Sequence, residues 1–283
     1  MYVSIDLGGT NTRVASSRDL KDLYKQEKFQ TDQDLHKQLT NIIESIKIVV
    51  DGETPQYIVV GVPGIVNKKE RKLERIINVP SLSNLTFSEL VGNSIEEKNI
   101  FVENDASLAG LGEAVNGAGK NFEVVVYMTL STGVGGVRIA GKKIDEYQRH
   151  SEPGHMIIQR NGRTFGMCDQ KGCLSAYCSG TAFEEIYGES PVTCKDENVW
   201  EDYSKNLALG ISNIMAMWSP DIIVLGGSLS NKFEEFFEEP LLKELNRQKI
   251  FKVPEIKKSV LGDSAGLIGG FVLLFGIHAN IGK

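Results

Sequence analysis

One arrangement occurs twice in this chain: an apolar strand, a glycine-rich turn, and a second strand that returns along the first. Near the N-terminus, residues 2–5 return as 12–15, and further on residues 123–130 return as 137–140. Apolar and β-branched runs separated by glycine predict antiparallel strand pairs. Because the whole unit is repeated, the sequence predicts two related α/β lobes that face a central cleft.

The other periodic segments are consistent with two α/β lobes. Apolar residues at helical spacing predict helices at 35–50, 106–115, 199–218 and 265–278, and short apolar runs predict strands at 57–62, 100–102 and 222–225. The boundary between the lobes is expected near Gly110 to Gly119. We assign residues 1–112 to the N-terminal lobe, with a C-terminal helix at 265–281 packed on it, and residues 113–264 to the C-terminal lobe.

Composition excludes several classes of protein. Hydrophobic residues make up 41% and charged residues 24% of the 283 residues, which is typical of a soluble globular protein. The net charge of −6 argues against a nucleic-acid binder. We expect no apolar run to be long enough to span a bilayer. We also expect no signal peptide, because Asp6 interrupts the first apolar run where a signal peptide would continue. A cytoplasmic protein is therefore expected, with no membrane partner.

Three glycine-containing turns are candidates for binding a nucleotide. Backbone N–H groups can approach phosphate at Gly8-Gly9-Thr10 and at Thr132-Gly133, because glycine has no Cβ. Asp6 is placed to hold Mg²⁺ through water. Gly226-Gly227 ends a buried strand, where an adenosine can lie flat on the backbone. Each turn taken alone is equally consistent with an ordinary hairpin or strand-to-helix turn.

Two polar segments are candidates for binding and activating a hydroxyl group. Asp105 can accept the proton of a sugar hydroxyl, and Asn104 can recognise a neighbouring hydroxyl. The alternative is that the pair caps the following helix. Glu152 and His155 flank a Pro-Gly bend, which is suited to a polar clamp for vicinal hydroxyls.

The cysteines suggest a metal site. The four cysteines lie at 168, 173, 178 and 194, too few in a chain of this size for a disulfide framework. Cys168, Cys173 and His155 would supply three zinc ligands, whereas a structural zinc site usually has four. The alternative is a pair of buried thiols.

In order along the chain, these motifs resemble those of the ROK family of sugar kinases and sugar-responsive repressors, within the actin/hexokinase/Hsp70 ATPase superfamily. The resemblance covers nearly the whole chain. Its landmarks are Asp6-Leu7-Gly8-Gly9-Thr10, Val62-Pro63-Gly64, Glu103-Asn104-Asp105, Ser131-Thr132-Gly133-Val134-Gly135-Gly136, Glu152-Pro153-Gly154-His155, Gly172-Cys173-Leu174 and Leu225-Gly226-Gly227.

The resemblance implies a two-lobed, ribonuclease H-like ATPase fold that closes on ATP and a hexose. It implies that Asp105 is the catalytic base and that the sugar ligands are Gly64, Asn104, Asp105, Glu152 and His155. It also implies that phosphate is held by the turns at Gly8-Gly9-Thr10 and Thr132-Gly133, and adenosine by Gly226-Gly227. Repressor members carry a preceding helix-turn-helix domain, whereas this chain begins at its first core strand, which indicates a kinase.

Three positions depart from the family pattern. Gly166 stands where the family has the first cysteine of its metal motif, which leaves the zinc site incomplete unless Asp169, Cys178 or water completes it. Ser175 replaces a glutamate that is directed at the anomeric end of the sugar, and Ser131 replaces a glycine. A serine cannot make the charge-assisted bonds of a glutamate. The sugar specificity is therefore expected to differ from that of an ordinary glucokinase.

The leading hypothesis is an ATP- and Mg²⁺-dependent, glucokinase-like enzyme that phosphorylates a hexose at O6. The alternatives are a kinase for an N-acetylhexosamine, fructose or a β-glucoside, and a non-catalytic sensor of sugar or nucleotide. The resemblance also implies a homodimer.

Overall fold

The structure is a computed structural model of the chain, and it describes residues 1–76, 79–92, 94–145, 151–166, 170–247 and 252–281. The chain divides into two compact units. Unit 1 contains Met1–Asn116 and residues 263–281, and unit 2 contains residues 117–145 and 151–262. The lobe limits given above, 1–112 and 113–264, stay a prediction.

The elements are named in chain order. They are β1 (Tyr2–Leu7), β2 (Asn11–Ser17), β3 (Lys25–Gln30), α1 (Leu35–Val50), β4 (Tyr57–Val62), β5 (Gly64–Asn67), β6 (Lys72–Ile76), α2 (Phe87–Leu90), β7 (Ile100–Asn104), α3 (Asp105–Asn116), β8 (Val124–Leu130), β9 (Val134–Ala140), β10 (Lys143–Ile144), α4 (Ser175–Cys178), α5 (Gly180–Tyr187), α6 (Glu197–Trp218), β11 (Ile222–Gly226), α7 (Glu238–Asn246), β12 (Glu255–Lys258) and α8 (Ala265–Ile281).

The sheet of unit 1 has, among the described residues, five strands in the order β3-β2-β1-β4-β7. The pairs β1–β2 and β2–β3 are antiparallel, whereas β1–β4 and β4–β7 are parallel. The carboxyl ends of β1, β4 and β7 therefore lie along one edge of the sheet. This is the edge where α/β proteins place ligands.

Helix α1 spans the residues predicted for it, 35–50. The Asp34 side chain caps it by accepting a hydrogen bond from the N–H of Lys37, and Asp51 ends it in the left-handed conformation. The helix buries Ile42, Ile46 and Val49 in the core of unit 1. Apolar spacing and local capping thus determine both ends of this helix.

Helix α8 packs closely on α3 within unit 1. An added Cβ at Gly269 would lie 1.7 Å from the carbonyl oxygen of Leu108, and one at Gly112 would lie 2.5 Å from that of Ala265. Only glycine permits this backbone approach. The buried side chains of α8 that join this part of the core are Leu267, Phe271 and Leu274.

By length and composition alone, α8 is able to cross a membrane, which corrects the statement that no apolar run is long enough. The window Gly262–Ala279 has a mean hydropathy of 1.4 and is 39% buried. A core helix of a globular protein satisfies the same criteria, and one face of α8 lies in the core of unit 1.

The sheet of unit 2 repeats the strand order of unit 1. Among the described residues it has five strands in the order β10-β9-β8-β11-β12. Here β9 and β10 are antiparallel to their neighbours, whereas β8–β11 and β11–β12 are parallel. The repeated strand–turn–strand motif of the sequence therefore becomes the first hairpin of each sheet, β1–β2 and β8–β9.

An aromatic core supports the sheet of unit 2. Trp200 and Tyr203 of α6 are fully buried and contact Phe183 of α5 and Phe237. The ring centroids of these four pairs are 4.8 to 5.8 Å apart. Such pairs stabilise a core beyond the burial of their area. They hold α5 against α6, and with it the first residues of α5.

Candidate active site

Residues of three neighbouring strands meet at the carboxyl edge of the unit 1 sheet. The register pairs Asp6 with Gly61 and Gly61 with Glu103, and one step further it pairs Val62 with Asn104. Chain segments that are distant in sequence, including Asp6 and the Asn104-Asp105 pair, therefore end at the same edge.

The Asn104-Asp105 pair lies where β7 passes directly into α3. The side-chain oxygen of Asn104 accepts a hydrogen bond of 3.1 Å from the N–H of Ser107, so Asn104 caps the helix and Asp105 is its first residue. Asn104 is buried, and its side-chain amide N–H groups are the part that can donate to a ligand. Asp105 is half-buried, and one carboxylate oxygen accepts from the N–H of Ala106 at 2.8 Å.

An ion pair between a buried carboxylate and a solvent-exposed lysine lies beside this junction. Glu103 is 4% exposed, one of its carboxylate oxygens binds the ammonium group of Lys68, and the other accepts from the N–H of Asn104 at 3.0 Å. The pair satisfies the buried charge of Glu103 and links β7 to the loop after β5.

The first glycine turn is held from inside. The N–H of Gly8 donates to the carbonyl of Asn11 at 3.0 Å, and an added Cβ at Gly8 would lie 2.9 Å from that oxygen. Thr31 binds the carbonyls of Gly8 and Thr10, through its hydroxyl at 2.7 Å and its N–H at 2.9 Å. Gly9 is half-buried and Thr10 is exposed, so the outer side of the turn is open to a ligand.

Asp6 carries a largely buried charge immediately before this turn, with its side chain 17% exposed. Burial raises the pKa of its carboxyl from 3.8 to about 6, although Arg13 opposes the shift. The guanidinium of Arg13 lies 3.4 Å from the carboxylate of Asp6 and also binds that of Asp263. The charge of Asp6 is thus compensated only in part, and an added cation would stabilise it.

Gly64 has a structural reason to be glycine. An added Cβ would lie 2.1 Å from the carbonyl oxygen of Arg75, because the backbones of β5 and β6 approach closely there. The predicted sugar contact at Gly64 stays a prediction, since this packing alone requires the residue.

The second glycine turn belongs to unit 2 and is held by the first two residues of α5. The N–H of Gly180 donates to the carbonyl of Ser131 at 2.6 Å, and the hydroxyl of Thr181 donates to the carbonyl of Thr132 at 3.1 Å. An added Cβ at Gly133 would meet no atom within 4 Å, so the turn is open on that side.

Gly226 and Gly227 lie against β8, beside this second turn. An added Cβ at Gly227, whose φ is +83°, would lie 2.4 Å from the carbonyl oxygen of Leu130. An added Cβ at Gly226 would lie 2.1 Å from the hydroxyl oxygen of Tyr127. This packing alone requires glycine at both positions, so the predicted adenosine contact at Gly226-Gly227 stays a prediction.

Ser175 lies beside the segment of Glu152 and His155, but its hydroxyl is engaged by the backbone. It accepts a hydrogen bond of 3.3 Å from the N–H of Val134 and is 2% exposed. An added Cβ at Gly154 would lie 2.6 Å from that hydroxyl oxygen. The short side chain of Ser175 therefore fills a confined space, and a glutamate there would have to displace its neighbours.

The proposed zinc ligands are only partly described. Cys168 and the alternative ligand Asp169 lie outside the described residues. Cys173 is buried, and the bridge between Ile157 and Cys173 brings the segment of His155 alongside it. In the part of the chain that the structure describes, no group of three or more His, Cys, Asp or Glu side chains could hold a metal ion. Zinc stays a prediction, and no chemistry below depends on it.

The structure therefore gathers the predicted residues into two sets. Unit 1 holds Asp6, Gly8, Gly9, Thr10, Gly64, Asn104 and Asp105, and unit 2 holds Thr132, Gly133, Glu152, His155, Cys173, Gly226 and Gly227. No sequence motif predicts the site contacts of Arg13, Thr31, Lys68, Gly180 and Thr181. Arg13 could have been found, because hairpin pairing sets it directly opposite Asp6.

Two sheets of one strand order, each opening with a hairpin around a glycine turn, define the two-lobed actin-like ATPase fold. The solved structure of a ROK hexokinase from Thermus thermophilus superposes with a TM-score of 0.82 at 24% identity, over 98% of this chain and 99% of that chain. A ROK family glucokinase from Streptomyces griseus, solved in complex with glucose and AMPPNP, gives 0.78 at 20% identity, over 96% and 98%.

The chain belongs to the ROK family, which matches residues 2–276. It is 29% identical to an N-acetyl-D-glucosamine kinase of Histophilus somni (strain 129Pt), over 96% of this chain and 98% of that protein. These findings confirm the predicted family and fold, and they support the predicted class of sugar kinase.

Proposed function

We propose that this chain transfers the γ-phosphate of ATP to O6 of a hexose, with Asp105 as the general base. The observation that carries the proposal is the junction of β7 and α3, which sets an amide and a carboxylate side by side at the ligand edge of a parallel sheet. The solved relative with bound glucose and AMPPNP supports the pairing of a hexose with ATP.

The chemistry follows from the position of each group. Asp105 lies in the first turn of α3, where the partial positive charge of the helix end favours the ionised carboxylate. It accepts the proton of the sugar hydroxyl while that oxygen forms a bond to the γ-phosphorus and the bond to the ADP oxygen breaks. The amide N–H groups of Asn104 bind a neighbouring sugar hydroxyl and hold the sugar in line.

Such a kinase is expected to use ATP as its cosubstrate and a divalent metal as its cofactor, and we infer that the metal is Mg²⁺. The residues fit it, because the carboxylate of Asp6 is largely buried, only partly compensated by Arg13, and adjacent to the first glycine turn. When bound, Mg²⁺ neutralises charge on the phosphates. The backbone N–H groups of the turns at Gly8-Gly9-Thr10 and Thr132-Gly133 bind the phosphates, and Gly226-Gly227 flanks the adenosine.

For the sugar we infer an N-acetylhexosamine in preference to glucose. The relative from Histophilus somni is named as an N-acetyl-D-glucosamine kinase and matches the chain over nearly its whole length. Ser175 is engaged with Val134 and carries no charge, so no carboxylate at this position restricts the sugar. Glu152 and His155 complete the proposed sugar clamp. The proposal places the enzyme in the cytoplasm, where ATP is supplied, as a homodimer.

The proposal is tested by ADP release across a panel of glucose, N-acetylglucosamine, N-acetylmannosamine and fructose. We expect turnover with at least one of these sugars, and a fall in kcat of about 10²–10⁴-fold in Asp105→Asn. The exposed Asp22→Asn is the matched control and should keep the wild-type rate. Sugar binding without ADP release by the wild-type protein would instead indicate the non-catalytic sensor, and a normal rate in Asp105→Asn would exclude Asp105 as the base.

A further inference from the structure

A chain of buried hydrogen bonds runs from α1 to the first glycine turn. Gln38 and Thr12 are fully buried, and Thr31 is 8% exposed. The side-chain amide nitrogen of Gln38 lies 3.0 Å from the hydroxyl oxygen of Thr12, which lies 2.9 Å from that of Thr31. The hydroxyl of Thr31 lies 2.7 Å from the carbonyl oxygen of Gly8. The chain therefore ends on the turn that is proposed to bind phosphate.

The direction of these hydrogen bonds is determined. The amide oxygen of Gln38 accepts from the N–H of Asp32 at 2.8 Å, which turns its amide N–H toward Thr12. The carbonyl of Gly8 can only accept, so the single hydroxyl hydrogen of Thr31 points to it. Thr12 must then donate to Thr31. In this one arrangement each side-chain nitrogen and oxygen atom of the chain has a hydrogen-bond partner.

The last bond sets the orientation of a peptide group. In a trans peptide, the C=O of one residue and the N–H of the next point in opposite directions. Because Thr31 holds the carbonyl of Gly8 inward, the N–H of Gly9 points outward. The N–H of Thr31 holds the carbonyl of Thr10 in the same way, so both ends of the turn are fixed by one residue.

We infer that Thr31 is a positioning residue for the nucleotide: it orients the first glycine turn so that the N–H of Gly9 faces a phosphate oxygen. This inference rests on the proposed function, in which the turn binds ATP. A donor oriented before binding loses little freedom when the anion arrives. Without the hydroxyl of Thr31, the Gly8–Gly9 peptide can rotate and the donor is no longer fixed.

The test compares Thr31→Val with Thr12→Val. Both substitutions keep the shape of the side chain and break the buried chain, but only Thr31→Val releases the carbonyl of Gly8. We expect the Kd for ATP with Mg²⁺, measured by calorimetry, to rise about tenfold in Thr31→Val and at most about threefold in Thr12→Val. The Kd for adenosine, which has no phosphate, should stay at the wild-type value in both variants.

A purely structural role of Thr31 predicts a different result from the positioning role. Each variant breaks two buried hydrogen bonds, so Thr12→Val should lower the thermal unfolding midpoint about as much as Thr31→Val. If ATP affinity followed the unfolding midpoint across the two variants, or if adenosine weakened as much as ATP, the positioning role would be wrong. Thr31→Ser keeps the hydroxyl and should restore ATP affinity, and loss of affinity in this variant would also contradict the inference.

Two further measurements separate this inference from the proposed function. Thr40→Val removes a hydroxyl that bonds only within α1, to the carbonyl of His36, and should change nothing. If the wild-type protein binds no ATP, the proposed function fails and this inference fails with it. If the wild-type protein binds ATP and Thr31→Val binds it equally well, only the inference about Thr31 is wrong.

Discussion

The two glycine turns occupy the same place in two sheets of the same strand order, yet they are built differently. The turn after β1 follows a largely buried carboxylate, Asp6, and is held by a threonine whose hydroxyl is part of a buried chain. The turn after β8 carries Ser131 and Thr132, and is held by the N–H of Gly180 and by the exposed Thr181. One turn combines charge with rigidity, and the other is neutral and open.

The same strand topology can therefore serve two tasks. A buried charge needs a stiff surrounding, because a small displacement changes its energy strongly in a medium of low polarity. A neutral set of N–H and hydroxyl donors tolerates small shifts. We therefore expect substitutions in and beside the turn of unit 1 to change stability more than those at equivalent places in unit 2.

The charge of Asp6 is expected to have the largest effect on the free energy of unfolding. The pKa of Asp6 is about 6 in the folded protein and 3.8 in the reference state, so the folded chain binds the proton more tightly. The contribution of Asp6 to stability is therefore lost as the pH rises from about 4 to above 6. In the absence of divalent metal, Asp6→Asn should gain up to about 3 kcal/mol over wild type across this range, measured by urea unfolding.

Thr132→Val in unit 2 serves as the matched control for the charge. It removes a polar group from the neutral turn, so its unfolding free energy should differ from wild type by the same amount at pH 4 and pH 7. Parallel pH profiles for wild type and Asp6→Asn would show that burial does not raise the pKa of Asp6, and the contrast in charge would then disappear.

The next effect concerns the space around each turn. Gly8→Ala would place a Cβ 2.9 Å from the carbonyl oxygen of Asn11, whereas Gly133→Ala would meet no atom within 4 Å. We expect Gly8→Ala to lower the free energy of unfolding by about 1–3 kcal/mol and Gly133→Ala to stay within about 0.5 kcal/mol of wild type. Equal losses in the two variants would mean that the turns are equally tight.

The smallest effect concerns the two threonines that hold the turns. Thr181 is exposed, so in its absence water can donate the hydrogen bond to the carbonyl of Thr132. Thr181→Val should therefore change the free energy of unfolding by less than about 0.5 kcal/mol. Thr31→Val leaves a buried carbonyl without its donor and should cost about 1–3 kcal/mol. Thermal unfolding of the two variants side by side measures the contrast, and a larger loss in Thr181→Val would reverse it.

Much of the fold could be predicted because its signals are local. The bounds of α1 follow from apolar spacing and an aspartate cap, and the two hairpins follow from glycine between apolar strands. The edge strand β3 was missed, because its sequence Lys-Gln-Glu-Lys-Phe-Gln has no apolar alternation and it is partly exposed. Its pairing with β2 supplies the structure that its own residues do not indicate.

The candidate site shows the same limit. Asn104 and Asp105 are adjacent in sequence, so a motif finds them, but the motif does not show which of the two caps the helix, because Asp and Asn cap helices equally well. Thr31 is 23 positions from the Gly8 carbonyl it binds, and nothing in its local sequence marks it. Only the packing of β3 beside β2 brings it to the turn.

The return of α8 to unit 1 has a consequence for the order in which the protein can be made. Leu267, Phe271 and Leu274 share a core with Tyr2, Ala15 and Leu108, which belong to β1, β2 and α3. A ribosome synthesises all of unit 2 before it reaches these residues. During that interval the nascent first unit exposes the apolar surface that α8 later covers. Unit 2 has all its segments by residue 262, and can therefore complete its folding before the unit that was begun first.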